Sequence, residues 1–212
     1  MNTQIKPTIL CLFSGGIDST GVLHQLITHK KYKDANLIVH HIHIHNRENR
    51  AKAEAKAVKS IIECYKKNYD RQFLVTESVF DSRGFSSLRS KRYPYDMDVC
   101  AFYAANIAVG RKNIRFVAWG RTKTDVSSGG SFEARMKRMQ DVFDSVWLLE
   151  KEPIPKFIFP LIKYTKAEIW NSIPPEVQSN VWWCRTPIYQ EDKILPCGVC
   201  GTCTQTKAFI DG

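Results

Sequence analysis

The sequence predicts a doubly wound α/β fold, with a mostly parallel, five-stranded sheet, helices on both of its faces and a small cysteine-rich region near the C-terminus. Short apolar segments alternate along the chain with longer segments of helical periodicity, which is the pattern of a parallel sheet. A polar loop with two adjacent glycines follows the first apolar segment. Four cysteines lie together between residues 184 and 203.

The first part of the chain supplies two strands and two helices. Residues 8–13, TILCLF, are apolar enough to form a buried strand, and a helix is expected over residues 21–29. Residues 36–45, NLIVHHIHIH, form the second strand. A helix over residues 47–67 follows, because apolar side chains recur there at helical spacing.

The middle of the chain continues the alternation. A third strand is predicted over residues 72–76, and residues 77–95 are interpreted as a polar, arginine-rich loop. A helix over residues 96–110 and a fourth strand over residues 114–120 come next.

The predicted sheet ends with a helix over residues 132–149 and a fifth strand over residues 156–162. A last helix over residues 165–172 starts with a capping box, because Thr165 is followed by Glu168 at the third position.

Ligands of doubly wound sheets bind at the carboxyl ends of the strands. The glycine loop (residues 14–19) lies at the carboxyl end of the first predicted strand, so a ligand is expected there. We expect residues 1–180 to form the main domain, with the C-terminal segment (residues 181–212) packed on it.

The composition is that of a globular protein, with 43% hydrophobic and 25% charged residues among 212. No apolar run reaches the length of about 20 residues that spans a membrane, and the first residues do not form a signal peptide, so we expect a cytoplasmic protein. The net charge is +10, but the basic residues are spread along the chain. A nucleotide or another small anionic substrate explains that charge, and no stable nucleic-acid partner is expected, although that alternative stays open.

The glycine loop carries the residue types of an anion-binding turn. Its Ser-Gly-Gly start lets the backbone bring successive N–H groups close to an anion, at the positive end of the following helix. Asp18 offers a carboxylate to a metal ion, and Ser19 and Thr20 offer hydroxyls to phosphate. The loop has neither the Gly-Lys-Ser/Thr of a Walker A motif nor a G-x-G-x-x-G fingerprint. A polar helix cap is the alternative.

The segment FSGGIDST resembles the PP-loop of the ATP pyrophosphatases, Ser-Gly-Gly-x-Asp-Ser. Enzymes of this superfamily bind ATP, transfer AMP to a substrate oxygen and release pyrophosphate. The resemblance implies an ATP site, with Mg²⁺ on the pyrophosphate, at Phe13, Ser14, Gly15, Gly16, Ile17, Asp18, Ser19 and Thr20.

The cysteines near the C-terminus have the spacing of a closed Cys₄ site. Cys184, Cys197, Cys200 and Cys203 follow the pattern Cys-x12-Cys-x2-Cys-x2-Cys. Four thiolates without an open position are typical of a structural zinc ion. Free cysteines or a redox pair are the alternatives. The remaining cysteines, Cys11, Cys64 and Cys100, stand singly in apolar or helical stretches and are interpreted as core residues.

A PP-loop combined with this cysteine pattern resembles the 7-cyano-7-deazaguanine synthase family. Further similarity lies in FPLIKYTKAEIW (residues 159–170), in GRTKTDVS (residues 120–127) and in the closing PCGVCGTCTQTKAFIDG. The resemblance implies an AMP-forming ligase of 7-deazaguanine and queuosine biosynthesis. It would adenylate 7-carboxy-7-deazaguanine, form the amide with ammonia and convert the amide to the nitrile with a second ATP. The family tends to dimerise, so a homodimer is an open option.

Two segments depart from the family pattern. The family's Pro-x-Arg-Asn is replaced by YPYDMDV (residues 93–99), and its Tyr-Pro-Asp-Cys-Arg by SSGGSFEAR (residues 127–135). Both border the implied ATP and nucleobase pockets. Two alternatives therefore remain open: an enzyme that acts on a related 7-deazaguanine, and one that stops at the amide.

The candidate catalytic residues are Asp18, Ser19, Asp125 and Lys166. Asp18 and Ser19 belong to the implied ATP site. Asp125 would hold magnesium or the substrate, with an ordinary loop aspartate as the alternative. Lys166 would reach a phosphate, with a solvated helix lysine as the alternative.

The histidines of residues 40–45 do not predict a metal site, since helices are expected to cover the strand's faces. His43 or His45, near the end of that strand, is expected to line the nucleotide pocket. Trp182 and Trp183 are interpreted as packing residues beside the zinc site, with base stacking as the alternative.

Two other functions stay open. A PP-loop enzyme that modifies tRNA suits the positive charge, but a catalytic cysteine pair or an added RNA-binding domain is not evident. A nucleotide- or zinc-binding module without activity is disfavoured by the intact Ser-Gly-Gly-x-Asp-Ser motif.

Overall fold

The computed structural model of the chain describes residues 6–84, 95–126, 130–148, 150 and 153–210. The strands in this part are Thr8–Leu12 (β1), Asn36–His45 (β2), Leu74–Asp81 (β3), Ile114–Ala118 (β4), Lys156–Ile158 (β5), Ile188–Gln190 (β6) and Lys193–Leu195 (β7). The helices are Ile17–Thr28 (α1), Ala51–Asn68 (α2), Asp96–Gly110 (α3), Lys123–Val126 (α4), Gly130–Val146 (α5), Lys166–Ser172 (α6), Pro175–Gln178 (α7) and Gly201–Ile210 (α8), with a 3₁₀ turn at Lys30–Tyr32.

Five strands form one sheet in the order β3-β2-β1-β4-β5. Every neighbouring pair in it is parallel, so the predicted five-stranded sheet is confirmed. The chain adds strands on one side of β1 and then turns to the other side with β4. The crevice between the carboxyl ends of β1 and β4 is therefore the topological switch point, where ligands of such sheets bind.

Helices cover both faces of this sheet, as predicted. Alternate side chains of β1 point to opposite faces, so that Ile9 packs among residues of α1, α2 and α6. Leu10 packs on the other side, among residues of α3 and α5 such as Ala104 and Phe143. Burying apolar side chains on both faces is what allows a parallel sheet to be central in the fold.

The third strand was predicted too early and too short. Residues 77–81, expected to belong to a loop, continue β3 and pair with β2 up to Asp81. β3 is an edge strand of the sheet, and from Thr76 onward half-buried and exposed residues alternate in it. Because several residues of β3 are polar, its second half was predicted as a loop. Residues 82–84 of the predicted loop follow β3, and its residues 85–94 lie outside the described residues.

Other boundaries also differ from the prediction. β5 ends at Ile158 instead of residue 162, since Pro160 has no N–H to continue the ladder. α1 begins at Ile17 and α2 at Ala51, each four residues away from the predicted start. The β6–β7 hairpin and helices α4, α7 and α8 were not predicted.

No helix in the described ranges combines the length and apolarity needed to cross a membrane.

Candidate active site and metal centre

The glycine loop adopts a backbone conformation that requires glycine. Gly15 has a φ of +74°, in the left-handed region. A side chain there would also meet Ala57 Cβ and Val58 N of α2, both 3.1 Å from an added Cβ. The loop is thus pressed against α2, and it leads directly into the N-terminus of α1 at Ile17.

The two serines of the loop hold it closed. Ser19 Oγ accepts a hydrogen bond from the Ser14 N–H at 3.3 Å and lies 3.2 Å from Ser14 Oγ. Ser19 Oγ also donates to the Gly16 carbonyl oxygen at 3.1 Å. Thr20, by contrast, is fully buried, and it lines neither of the cavities beside the loop.

Asp18 and Lys166 meet beside the loop. Lys166 Nζ lies 3.5 Å from Asp18 Oδ2, and both side chains are partly exposed. Burial raises the pKa of Asp18, and the nearby Lys166 opposes that rise. Asp18 Oδ1 is buried and has no hydrogen-bond partner among the described residues. An added Cβ at Gly120, after β4, would come within 3.0 Å of Asp18 Cβ, so Asp18 stands in the switch-point crevice.

Asp125 has a local structural contact. Its Oδ2 accepts hydrogen bonds from the Thr122 N–H at 2.9 Å and from Thr122 Oγ1 at 3.1 Å, at the start of α4. Its charge contributes to the raised pKa of Asp18, so the two carboxylates are near each other. The adjoining residues 127–129 lie outside the described residues.

Two adjacent cavities open at the glycine loop. The inner cavity, of about 280 Å³, is walled by β-strand ends, α3 and residues such as His40, Met97 and Trp119. The outer cavity, of about 170 Å³, is walled by the loop, Lys166 and the C-terminal segment up to Thr202. Six residues line both cavities: Ser14, Asp18, Ser19, Arg50, Glu54 and Arg185.

Larger depressions exist in the described chain, but the serines and aspartate of the loop do not line them. One, of about 540 Å³, lies against Trp170, Trp182 and Trp183. Another, of about 650 Å³, lies at the amino ends of the strands. Because ligands of doubly wound sheets bind at the opposite end, the pair of smaller cavities is the candidate active site.

A network of five charged side chains forms the wall opposite the loop. Arg50 pairs with Glu48 at 3.0 Å, with Glu54 at 3.2 Å and with Asp96. Arg185 pairs with Glu48 at 2.7 Å and with Asp96 at 3.1 Å. The network joins the starts of α2 and α3 to the C-terminal segment.

Burial and pairing act against each other within this network. Burial would raise the pKa of Asp96, but Arg50 and Arg185 outweigh it and lower that pKa. Glu54 is more deeply buried. Burial raises its pKa to about 7, although the positive charge of Arg50 lowers it. The sequence analysis missed this wall. Its only local signal was the spacing of Arg50, the residue before α2, and Glu54, four residues later in the first turn of that helix.

Three histidines of β2 contact other residues of the protein. His41 is buried, its Nδ1 lies 2.9 Å from the Phe13 carbonyl oxygen, and burial lowers its pKa to about 4. His43 pairs with Glu77 at 3.1 Å. His40 lines the inner cavity and is hydrogen-bonded to Thr76 and Ser78 of β3. Of the β2 histidines, His40 therefore takes the place expected for His43 or His45.

The four clustered cysteines converge on one point. The Sγ atoms of Cys184, Cys197, Cys200 and Cys203 all lie within 4.8 Å of one another. The β6–β7 hairpin occupies the interval between the first two. A hydrogen bond from Thr186 Oγ1, at 3.1 Å, and backbone N–H groups lower the pKa of Cys197 to about 6. The cluster can therefore bind a metal ion.

Backbone and side-chain bonds tie the C-terminal segment to the glycine loop. The Trp182 N–H donates to the Gly15 carbonyl oxygen at 2.9 Å. Trp182 Nε1 donates to the carbonyl oxygen of the first cysteine, Cys184, at 2.7 Å. Trp183 contacts Trp170 edge-on, with ring centroids 6.2 Å apart, and both pack against the core. This fits the packing interpretation of the two tryptophans.

Comparison with known proteins adds three findings. A family model described as "Queuosine biosynthesis protein QueC" matches residues 8–211. No curated protein sequence matches the chain significantly. Among solved structures, the U34-tRNA thiolase NcsA from Methanococcus maripaludis, with its [4Fe-4S] cluster, is similar with a TM-score of 0.51 and 15% identity. The match covers 97% of this chain but 64% of the thiolase, so the chain spans less than two thirds of that protein's length, and the likeness concerns the fold.

Proposed function

The chain belongs to the family of the queuosine biosynthesis protein QueC, and from that premise we propose that it converts 7-carboxy-7-deazaguanine and ammonia to 7-cyano-7-deazaguanine. Membership makes the chain an ATP-using enzyme of the PP-loop type. The proposal adds the substrate, the ammonia chemistry and the release of AMP and pyrophosphate. We place the reaction in the cytoplasm.

The observation that supports the proposal most is the pair of cavities that share the glycine loop. One reaction partner carries phosphates and the other is a heterocyclic carboxylate, so the site needs two compartments that meet at the reacting atoms. The outer cavity has Lys166 and the N-terminus of α1, which suit phosphate oxygens. The inner cavity has the apolar and aromatic side chains Ile42, Met97 and Trp119, which suit a flat heterocycle.

The first half-reaction forms the amide. A substrate carboxylate oxygen attacks the α-phosphorus of ATP, and pyrophosphate leaves. Ammonia then attacks the carboxyl carbon, AMP leaves with that oxygen, and the nitrogen loses a proton. A carboxylate is a poor electrophile, so turning its oxygen into AMP lowers the barrier to ammonia. Here the protein mainly positions the partners and neutralises charge.

The second half-reaction removes the remaining oxygen. The amide oxygen attacks a second ATP, pyrophosphate leaves again, and AMP departs with the oxygen while the nitrogen gives up its last two protons. Two AMP therefore form for each nitrile.

Magnesium fits the residues at the loop. Asp18 Oδ1 is buried without a hydrogen-bond partner among the described residues, in a place where a cation would compensate it. We propose that Asp18 would hold Mg²⁺, which would neutralise charge on the leaving pyrophosphate when bound, and that Lys166 would bind a phosphate. Asp125 is close enough to Asp18 for its negative charge to attract the same magnesium ion. Its hydrogen bonds to Thr122, however, favour a role as a helix cap.

Zinc fits the cysteine cluster better than an iron–sulfur cluster. Tetrahedral zinc has Zn–S bonds of about 2.3 Å, so its four sulfurs lie close together, as they do here within 4.8 Å. In a [4Fe-4S] cluster each cysteine binds a different iron, which spreads the four sulfurs further apart. The zinc ion would be structural, because four thiolates leave no open position.

The amide-stopping enzyme is the second candidate, and one specific difference favours it. The family pattern Pro-x-Arg-Asn is replaced in this chain by YPYDMDV (residues 93–99). Asp96 of this segment puts a carboxylate into the charged wall, where it pairs with Arg50 and Arg185.

The deciding experiment measures AMP, ADP and the product together. The purified protein is incubated with ATP, Mg²⁺, ammonium and 7-carboxy-7-deazaguanine, and in parallel with bulk tRNA in place of the deazaguanine. Two AMP per nitrile supports the proposal, and one AMP per amide supports the second candidate. ADP formation would refute both candidates. AMP formation that depends on tRNA would refute both and favour a tRNA-modifying enzyme. Absence of turnover with either substrate would favour a binding module.

A further inference from the structure

Glu54 occupies the junction of the two cavities. It lies in the first turn of α2, directly across from the glycine loop, and it lines both the inner and the outer cavity. Its side chain is 11% exposed. A carboxylate at this junction stands where the heterocyclic substrate and the nucleotide phosphates have to meet.

Among the described residues, Glu54 has one ion-pair partner, Arg50. Arg50 Nε lies 3.2 Å from Glu54 Oε1. Arg50 has two further carboxylates, Glu48 and Asp96, so its own charge does not depend on Glu54.

Other titratable groups surround Glu54 from each neighbouring element. They are Glu48 and Arg50 at the start of α2, Asp96 and Cys100 of α3, and Arg185 and Tyr189 of the C-terminal segment. Burial dominates among these influences and raises the pKa of Glu54 to about 7. A carboxylate of that strength exchanges protons readily near neutral pH, as general bases require.

The proposed reaction needs a proton acceptor at one atom, the substrate nitrogen. It loses a proton after attacking the adenylate and loses two more when the nitrile forms. The other acidic side chain at both cavities, Asp18, pairs with Lys166 and is assigned to the metal ion.

We propose that Glu54 is the general base that takes these protons from the substrate nitrogen, an inference that rests on the proposed function. In the first half-reaction the nitrogen–carbon bond forms, the carbon–oxygen bond to AMP breaks, and one N–H proton moves to the Glu54 carboxylate. In the second, AMP leaves and the two remaining N–H protons pass through Glu54 to water in succession. Adenylation itself transfers no proton and does not need Glu54.

The test separates adenylation from nitrogen transfer. Exchange of labelled pyrophosphate into ATP, with the deazaguanine carboxylate and without ammonium, measures adenylation alone. Glu54→Gln should keep this exchange within about 3-fold of wild type. It should lower the rates of amide and nitrile formation about 100-fold or more, which is the usual contribution of a general base to the rate. Glu63→Gln, at an exposed position of the same helix, is the matched control and should change neither rate.

The outcomes are distinct. Wild-type protein without carboxylate-dependent exchange would refute the proposed function, whatever Glu54 does. Given wild-type exchange, equal loss of exchange and product in Glu54→Gln would show a structural role and overturn the inference. Near-normal product formation would overturn it too.

The pH profile of nitrogen transfer gives a second readout. Wild type should lose rate as the pH falls below about 7, and Glu54→Gln should lack this limb. If Glu54→Gln does not fold, Glu54→Asp decides, since it keeps a carboxylate. A displaced limb supports the inference, and an unchanged profile contradicts it.

Discussion

The backbone N–H of Trp182 donates a hydrogen bond of 2.9 Å to the carbonyl oxygen of Gly15. This bond fixes the C-terminal segment against the glycine loop, two residues before Cys184, the first cysteine of the cluster. An added Cβ at Gly16 would also come within 3.3 Å of the Trp182 carbonyl oxygen, so the approach is close over two successive residues. The metal centre and the proposed ATP site are thus mechanically connected.

Loss of the metal should therefore weaken ATP binding. We predict that Cys200→Ser lowers the zinc content, the melting temperature and the solubility. It should also raise KM for ATP about 5-fold, the equivalent of one lost hydrogen bond of about 1 kcal/mol. Elemental analysis, thermal unfolding and kinetics measure these effects. Cys64→Ser, at a half-buried cysteine outside the cluster, is the control. Wild-type protein purified without zinc would contradict the metal assignment.

Asp18→Ala should abolish turnover without harming the fold. The carboxylate is assigned to the magnesium–pyrophosphate group, so its removal takes away the cation that holds the leaving group. Burial raises the pKa of Asp18, which shows that the charged form is held at some cost. The free energy of unfolding should therefore stay the same or rise by about 1 kcal/mol. Activity, zinc content and denaturant unfolding test this, with the exposed Asp34→Ala as control. Near-normal activity would show that the phosphates lie elsewhere.

Gly21 permits the close packing of α1 on α6, the helix that carries Lys166. An added Cβ would lie far inside van der Waals contact with Ile169 Cγ2 and 3.1 Å from Leu161 Cδ1. We predict that Gly21→Ala lowers the free energy of unfolding by about 1–3 kcal/mol, the usual cost of overpacking.

Gly110→Ala is the matched control for this prediction, because no atom lies within 4 Å of the added Cβ. Ile169→Leu moves the clashing methyl group, so the double variant Gly21→Ala/Ile169→Leu should be less destabilised than the sum of the single changes. Additive effects would contradict the proposed clash.

His41 should make the protein sensitive to mild acid. Burial lowers its pKa to about 4 in the folded chain, whereas a histidine in an unfolded chain titrates near about 6.5. Between these values the unfolded chain binds a proton that the folded chain does not. The free energy of unfolding should therefore fall as the pH drops from about 6.5 toward 4, by up to about 3 kcal/mol.

The comparison of wild type with His41→Gln isolates this effect. The variant lacks the titrating group, so the difference between the two free energies of unfolding should shrink or reverse as the pH falls through the same window. Denaturant unfolding at several pH values measures it. Parallel pH curves for the two proteins would contradict the prediction.

Local patterns in the sequence were enough to predict the sheet, the glycine loop and the convergence of the four cysteines. Helix α3 was predicted with its observed bounds, residues 96–110, because its composition and its ends are both marked in the sequence. The continuation of β3 beyond Thr76 was not predictable in this way. An edge strand is stabilised by pairing with one neighbour, and its exposed alternate residues carry little hydrophobic signal.

The charged wall of the site was hidden for a different reason. Arg185 and Glu48 are 137 residues apart in the chain, and no local pattern links them. Which charges meet across a site depends on how helices α2 and α3 and the C-terminal segment pack. The roles of Asp18, Ser19, Asp125 and Lys166 stay predictions.

The same separation has a consequence for synthesis on the ribosome. The glycine loop is translated early. Trp182, which is hydrogen-bonded to the loop, and Arg185, which belongs to the charged wall, are translated only after all five strands of the main sheet. Until then Glu48 and Asp96 pair with Arg50 and lack Arg185, their second guanidinium partner. The lining of the outer cavity extends to Thr202, so a nascent chain completes the proposed ATP site only near the end of its synthesis. An incomplete chain that ends before Trp182 therefore lacks part of the lining of the proposed ATP site.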